Sequence, residues 1–468
     1  MSFDQREQSH NLVMEGSVIL LGMRIILDEI RTSSDGSDCK SLSKGFVSAM
    51  LVLQEHYRLV VGEDDEGIAD HGLVENLVRQ SGVAIQFNQY LNREDIAYTI
   101  HPGHSVSFSH RQAAEEVSST LPGTLTLHFH NYRDIAAWIV SHPQPYRQLE
   151  AALADGAQKI RDGALVAFPT ETVYGLGADA TNPIAVEQIF AAKKRPLYDP
   201  LIVHVGDQKQ MDSLVTEITE RAEQLMKRFW PGPLTIVLPK SPLVPSIVTA
   251  GTPTVAVRMP SNPIALALIR LSGKPIAAPS ANLFGYTSPT TAMHVHQQLG
   301  DACAAIIDGG ACTVGIESTV ISFLGETPKI LRPGGIDQQA IESCIGPVRS
   351  DVEEVADASM VSPGLMPSHY ATTTPLWIVD DLHEYASRSD VGVLLFGESG
   401  EVFHGPVEYL SKKADPAEAA NRLYQAMRRL DGKSLSLLVV RLLPETGIGI
   451  AVNNRLRKAA VNTSSKKN

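Results

Sequence analysis

The chain has 468 residues, 43% of them hydrophobic, more than one core accommodates, since single cores stop growing at about 250–300 residues. Charged residues at 20%, aromatics at 6% and a mean hydropathy of -0.03 exclude a disordered chain, a coiled coil and a membrane protein. The net charge of -12 is uneven: residues 1–150 hold 20 of the 52 acidic and 11 of the 40 basic side chains, a balance of -9, and the remaining 32 and 29 give -3 over 151–468. The acidity belongs to the first third, and the rest can host a basic pocket for an anion.

Residues 1–145 form a first region, closed by the polar stretch Ser141-His142-Pro143-Gln144-Pro145. Its apolar run Val18 to Leu27 is too short for a bilayer and is broken by Arg24, and it has neither a basic leader nor a cleavage site. Helix then strand over Phe46 to Val61 predicts a small α/β domain, and Glu63 to Glu66 reads as a solvated loop. The region carries nine of the fifteen histidines, among them His101, His104, His110, His128 and His130. His128 and His130 would share one strand face, but no third ligand is evident, so no protein-held metal is expected. The four cysteines, Cys39, Cys303, Cys312 and Cys344, make no C-x-x-C pair, which fits a reducing cytoplasm without a zinc ribbon.

Residues 146–347 read as an α/β sheet domain. A helix from Leu149 to Ile160 leads through Asp162-Gly163 into the strand Ala164 to Phe168. Apolar runs at Leu201 to Val205, Leu234 to Leu238, Val255 to Val257, Ala304 to Ile307 and Thr319 to Phe323 then alternate with helical patterns, which predicts strands of mixed direction. Residues 348–375 read as an ordered linker or lid. Residues 376–468 read as a small α/β unit with strands Leu376 to Val379, Val391 to Phe396 and Leu435 to Val440. Its helix starts at Asp415 as N-cap with Pro416 first and Glu418 completing a capping box, presents Leu423, Ala426, Met427 and Leu430 on one face, and stops at Gly432.

Common nucleotide signatures fail. Gly432-Lys433-Ser434 ends like a Walker loop, but Met427 stands where its first glycine belongs, and neither G-x-G-x-x-G after a strand nor H-E-x-x-H occurs. Polar sites recur instead at strand ends. Pro169-Thr170-Glu171-Thr172-Val173-Tyr174-Gly175-Leu176-Gly177 puts hydroxyls, a carboxylate and a phenol on a Gly-bounded turn. Lys193-Lys194-Arg195 could equally complement a helix C-terminus, and His204 could be an ordinary half-buried strand histidine. Arg258, at the end of an apolar strand, must find an anion, internal or from a ligand. Pro279-Ser280-Ala281-Asn282 offers small residues for close approach, Glu317-Ser318-Thr319 precedes another strand, and Leu331-Arg332-Pro333-Gly334 brings a second isolated arginine. Each could be structural; the series points to a site.

These motifs, with Phe229 to Thr235 (F-W-P-G-P-L-T) and V-R-M-P at 257–260, resemble the YrdC family of L-threonylcarbamoyladenylate synthases in order and spacing. Ser362-Pro363-Gly364-Leu365-Met366 and His369-Tyr370 resemble the linker of the family's long form, and Gly447-Ile448-Gly449, Arg455-Leu456 and Ala459-Ala460 its appended domain. The resemblance covers about residues 150–462. It implies a YrdC-like twisted mixed sheet, a Rossmann-like C-terminal domain, and a cytoplasmic nucleotidyltransferase that joins L-threonine, bicarbonate or CO2, and ATP into threonylcarbamoyl-AMP. The product would serve tRNA adenosine 37 modification, completed by a separate transferase complex.

By motif position the resemblance implies a threonine site of Thr172, His204, Arg258, Ala278 and Ser318. It implies an ATP site of Arg195, Asp199, Thr254, Ser280, Ser288, Arg332 and Tyr370, with Tyr370 closing the linker over the nucleotide. Lys193, Arg195, Ser280 and Asn282 would form a tetrad on the phosphates and on Mg²⁺ brought by ATP. The sequence departs from the family at Lys194 (usually Gly), Asp199 (usually Asn), Phe284 (usually Ser) and Thr372 (usually Pro); a negative charge at Asp199 needs Lys194 or Mg²⁺ to offset it. Two other readings remain: a carbamoyl-adenylate-forming maturation enzyme, disfavoured by the missing C-x-x-C modules, and a double-stranded RNA or tRNA-binding module.

Overall fold

The computed structural model describes residues 144–350 and 369–461, with side chains from residue 151 onward, and the backbone of three earlier strands. The expectations placed on Val18 to Leu27, Cys39, Phe46 to Val61, Glu63 to Glu66, His101, His104, His130 and Ser362 to Met366 lie outside those residues. The chain divides into two units, one of Met1–Asp155, Ser261–Leu268 and Ile307–Gly310, the other of Gly156–Pro260, Ile269–Ile306 and Ala311–Asn468. In the first, β1 (Ile96–Ile100), β2 (Val106–His110) and β3 (Leu125–His128) form an antiparallel sheet of order β2-β1-β3, with His110 opposite Ile96 and His128 opposite Ala97.

The second unit contains two further sheets. The larger has nine strands: β4 (Val166–Phe168), β5 (Gly175–Asp179), β6 (Ile202–His204), β7 (Leu234–Pro239), β8 (Thr254–Arg258), β9 (Ile276–Ala277), β10 (Ala305–Ile306), β11 (Thr319–Ser322) and β12 (Lys329–Arg332). They lie in the order β10-β4-β5-β9-β6-β8-β7-β11-β12, with β6 parallel to β8 and β7 to β11 but β4 antiparallel to β5 and β7 to β8, so the sheet is mixed as expected. Helices α1 (Gln144–Arg161), α2 (Pro183–Lys193), α3 (Gln208–Leu214), α4 (Glu220–Phe229), α5 (Pro263–Ser272), α6 (Ala292–Leu299) and α7 (Gln338–Ile345) alternate with these strands along the chain. A separate apolar cluster of Ile202, Val237, Ala256 and Val320, with Leu331 against it, involves β6, β7, β8, β11 and β12. By strand alternation Ile202 shares its face with His204, and Ala256 with Thr254 and Arg258, so this cluster floors the site.

Local chemistry sets the ends of α2. Asn182 accepts N–H bonds from Ile184 and Ala185, Pro183 takes the first position, and Lys194 ends the helix in the left-handed region at φ 53°. A left-handed C-cap favours glycine, so the usual Gly at position 194 has a backbone reason and Lys194 carries strain. The unexpected strands β5, β9 and β12 have weak or very short patterns. β5 reads Gly-Leu-Gly-Ala-Asp, and a Cβ at Gly177 would lie 2.7 Å from both Ile276 and Phe168 side chains. That glycine is there for packing.

The smaller sheet is wholly parallel, with order β13-β16-β14-β15, from β13 (Leu376–Ile378), β14 (Val391–Phe396), β15 (Val407–Ser411) and β16 (Leu437–Val440). Its strands are covered on both faces, as parallel sheets require. Leu394, Leu438 and Val440 cluster with Leu423, Tyr424 and Met427 of α8 (Pro416–Asp431) and Val452 and Leu456 of α9 (Ile448–Ala459); Val391, Val393, Leu395, Leu437 and Val439 form the opposite cluster. The α8 N-cap is Asp415, which accepts from Ala417 N and Glu418 N. Glu418 does not close the capping box directly. Ser411 stands between, its hydroxyl accepting from Asp415 N at 2.9 Å and donating to Glu418 at 2.6 Å.

Candidate active site

The turn between β4 and β5 is tied by one hydroxyl. Thr170 Oγ1 accepts from Thr172 N and Val173 N at 3.1 and 3.2 Å and donates to Val173 O at 2.7 Å. This turns Thr172 Oγ1 toward Arg258, whose Nη1 donates to it at 2.8 Å. Arg258 Nη2 lies 2.6 Å from Glu171 Oε1, with both side chains 4% exposed, and Nε donates to Gly232 O at 3.2 Å. The anion that Arg258 needs is therefore internal, and its aim is fixed on three sides before any ligand arrives.

His204 stands beside Arg258 in register and edge-on to Phe168, 6.2 Å between ring centres. Burial, with the Arg258 charge adding to it, holds His204 down to about 3, so the ring is neutral at physiological pH. Ser318 Oγ is 2.7 Å from Thr235 Oγ1 and accepts from Arg332 Nη2 at 3.1 Å, while Arg332 Nε donates to Ser318 O at 3.1 Å. Gly334, following Arg332, packs backbone to backbone: a Cβ there would lie 2.4 Å from Glu317 O.

Behind the Pro-Ser-Ala-Asn turn lies Lys193. It is fully buried, and its Nζ donates to Ser280 O at 2.5 Å and to Asn282 O, so it props the turn instead of reaching solvent at the helix end. Burial above all, then Arg195, pushes its pKa well below the ordinary lysine value. Arg195 Nη2 pairs with Asp199 at 2.8 Å, and Nε and Nη2 donate to Asp199 O and Pro200 O. Burial raises the Asp199 carboxyl, against the pull of Arg195, Lys193 and Arg332. Arg195, not Lys194, is the cation that offsets Asp199. Phe284 has a role of its own: the Arg195 guanidinium lies 5.8 Å from its ring centre, and His369 packs edge-on against it at 5.6 Å.

The end of the linker docks on this side. Ala371 N donates to Gly285 O and Thr287 N to Ala371 O, and Tyr370, at φ 66° and 1% exposed, packs on His369 and Tyr424 with ring centres 4.2 and 5.8 Å away.

These elements line a partly open pocket with about 540 Å³ of empty space, some of it open to solvent, walled by Thr170, Thr172, Val173, Gly175, Arg195, Ile202, His204, Arg258, Ala278, Pro279, Ser280, Glu317, Ser318, Arg332, His369 and Tyr370. All five residues expected around threonine are in its wall, and so are Arg195, Ser280, Arg332 and Tyr370 from the nucleotide set. Lys193, Asp199, Thr254, Ser288 and Asn282 are not. Lys193 and Asp199 stand behind the wall as supports, Thr254 lies farther along the face of β8 that carries Arg258, and Asn282 Nδ2 is spent on Leu283 O and Tyr286 O. Ser288 is fully buried and donates to Glu317 at 2.5 Å. In the sequence Glu171 stands out only as the carboxylate of a polar turn, Glu317 and Arg455 sit in motifs without a role of their own, and Tyr424 sits in none. A buried carboxylate or arginine shows itself only once its partner is placed. Among the described residues no His, Cys, Asp and Glu group of metal-holding arrangement occurs, and no helix is long and apolar enough to cross a membrane.

Fold and cavity together define an α/β protein with a small pocket lined by buried arginines. Residues 158–334 match the Sua5–YciO–YrdC family, which is described under telomere recombination, and residues 336–461 match the threonylcarbamoyl-AMP synthase C-terminal domain family. Threonylcarbamoyl-AMP synthase of Bacillus subtilis is 44% identical over 337 residues, 69% of this chain and 97% of that protein. Its Schizosaccharomyces pombe counterpart is 38% identical, over 68% of this chain and 90% of the other. The crystal structure of Pyrococcus abyssi Sua5 with L-threonine superposes with a TM-score of 0.62 at 43% identity, covering 66% of this chain and 94% of that one. The chain belongs to the threonylcarbamoyl-AMP synthase family.

Proposed function

We propose that this cavity condenses L-threonine, CO2 or bicarbonate, and ATP into L-threonylcarbamoyl-AMP and pyrophosphate. The observation that carries the reading is Arg258: a buried guanidinium, locked by Glu171, Thr172 and Gly232 O, that still borders the cavity. It is preset to clamp the threonine carboxylate, with the neutral His204, Ser318 and the small Ala278 around the rest of the substrate. The threonine amine adds to CO2 and loses a proton, giving a carbamate. A carbamate oxygen then attacks the α-phosphorus of ATP, a new P–O bond forms, and the bond to the β-phosphate oxygen breaks to release pyrophosphate. No protein nucleophile enters, so the protein contributes positioning and charge.

Arg195 and Arg332 supply charge for the phosphates, and Ser280 a hydrogen bond. Mg²⁺ would enter with ATP and would supply charge for its phosphates. Asn282 Oδ1, buried without a hydrogen-bond partner, is the acceptor of the expected tetrad that this chain would offer such a cation. Tyr370 closes the nucleotide side and excludes water from an adenylate open to hydrolysis. The product would pass to a separate transferase that modifies adenosine 37 of tRNA, in the cytoplasm.

Purified full-length protein with Mg²⁺, ATP and bicarbonate should release pyrophosphate only when L-threonine is added, and Arg258→Ala should lose threonine binding. Pyrophosphate release independent of threonine, or unchanged threonine binding in Arg258→Ala, refutes the assignment.

A further inference from the structure

Glu317 joins parts of the chain far apart in sequence. Ser288 Oγ donates to Oε1 at 2.5 Å, the Tyr424 hydroxyl of α8 lies 3.1 and 3.0 Å from the two oxygens, and Arg455 Nε of α9 donates to Oε2 at 2.8 Å. Tyr424 is 107 positions away and Arg455 138. Arg455 is 1% exposed, its Nη1 donates to Pro333 O at 2.8 Å, and its guanidinium lies 5.4 Å from the Tyr370 ring centre. Its partners are thus the residue after Arg332 and the linker tyrosine that borders the cavity.

Two buried guanidinia, Arg332 and Arg455, bear on one carboxylate. Burial would raise Glu317, but the charges of Arg455 and Arg332 and the hydrogen bonds from Ser288 and Arg455 outweigh it and hold it at about 2. Without that anion the two cations repel each other through a dry interior, where charge is weakly screened. A buried ion pair can be no more than interdomain adhesion. Here, however, Glu317 itself lines the cavity, and Arg455 meets Tyr370 of the wall and bonds to Pro333, the residue next to the lining Arg332. A change at α9 therefore reaches the ligand.

We infer that Glu317 is a positioning residue: gripped by Arg455 and Tyr424, it keeps Arg332 and Tyr370 aimed at the nucleotide, which makes α8 and α9 part of the ATP site. The inference rests on reading the cavity as an ATP site.

The test is a double-mutant cycle on the full chain, with Glu317→Gln, Arg455→Met and both together, read by ATP affinity from calorimetry, by KM and kcat for each substrate, and by thermal midpoint. Glu317→Gln preserves shape but strands the Arg455 charge; Arg455→Met strands the carboxylate. Each single change should weaken ATP about tenfold and move the threonine KM by less than about threefold, and the double variant should bind ATP more tightly than either single. Additive losses, losses that merely track the thermal midpoint, or singles within about twofold of wild type overturn the inference. Should wild type bind ATP but form no adenylate, the proposed reaction fails while the affinity cycle still decides the role of Glu317. Failure of wild type to bind ATP sinks both.

Discussion

The cavity has two kinds of wall. On the side proposed for threonine, Arg258 is held by Glu171 and Thr172 of the β4–β5 turn and by Gly232 O just before β7, all in the nine-stranded sheet's own connections. On the side proposed for the nucleotide, Glu317 and Tyr370 depend on Tyr424 and Arg455, from helices that pack on the smaller sheet, while Arg332 is held by Ser318. The first wall is complete within the nine-stranded sheet and its connections. The second draws in addition on the C-terminal helices, through Glu317 and Tyr370. Substrate positioning and nucleotide enclosure should therefore fail separately under mutation.

The largest effect is expected at the self-contained wall. Arg258→Ala removes a cation and leaves Glu171 buried and unpaired, so it should cost about 3–5 kcal/mol of stability and lower kcat/KM for L-threonine by about 10²–10³. Denaturant titration and steady-state kinetics check the two parts. Equal kinetics for Arg258→Ala and wild type would erase the distinction between the walls.

Tyr370→Ala should act on the other side only. It opens the lid and removes the ring facing Arg455, so the ATP KM should rise about tenfold while the threonine KM stays within about twofold. A larger rise for threonine would mean that the walls are not separable.

A smaller effect concerns pH where the two regions meet. Burial first, then Arg428 and Arg429 of α8, hold His294 down to about 3, against 6.5 for an ordinary histidine. Its folded pKa is depressed, so the unfolded chain binds the proton first on acidification. The stability this histidine contributes is complete above pH 6.5 and is lost as pH falls toward 3. His294→Gln should flatten the decline of urea midpoints between pH 7 and pH 4 (roughly the range in which a depressed histidine pKa acts); an unchanged slope would show that His294 is not held neutral.

The smallest effect is local to α2. Lys194→Gly relieves the left-handed C-cap and should stabilise the protein by about 0.5–1 kcal/mol, with catalysis unchanged, as Lys194 does not line the cavity. A loss of stability would place the Lys194 side chain in a contact that outweighs its backbone strain.

Legibility in the sequence followed the same division. Arg258, His204 and Ser318 sit at ends of apolar strands, where period-two patterning and an isolated polar residue announce a site. Asp415, Pro416 and Gly432 delimited α8 because caps are written in consecutive residues. Strand β5, whose glycines exist for packing against Phe168 and Ile276, carried no strand pattern at all. Glu317, Tyr424 and Arg455, and the pairing of Glu171 with Arg258, were illegible for another reason: each is defined by a partner that only the fold supplies. Lys193 and Asp199 were singled out from their motifs, but whether such residues face the pocket or stand behind its wall depends on a depth that no linear pattern encodes.

The central claim is that carbon from bicarbonate is joined to threonine and adenylated in one cavity. Incubating the purified full-length chain with ¹³C-bicarbonate, L-threonine and MgATP and identifying the product by mass spectrometry tests it most directly. The account predicts threonylcarbamoyl-AMP carrying the label in its carbamoyl carbon, in a one-to-one ratio with pyrophosphate. Adenylated threonine without the label, or AMP formed with no labelled adduct, would contradict it.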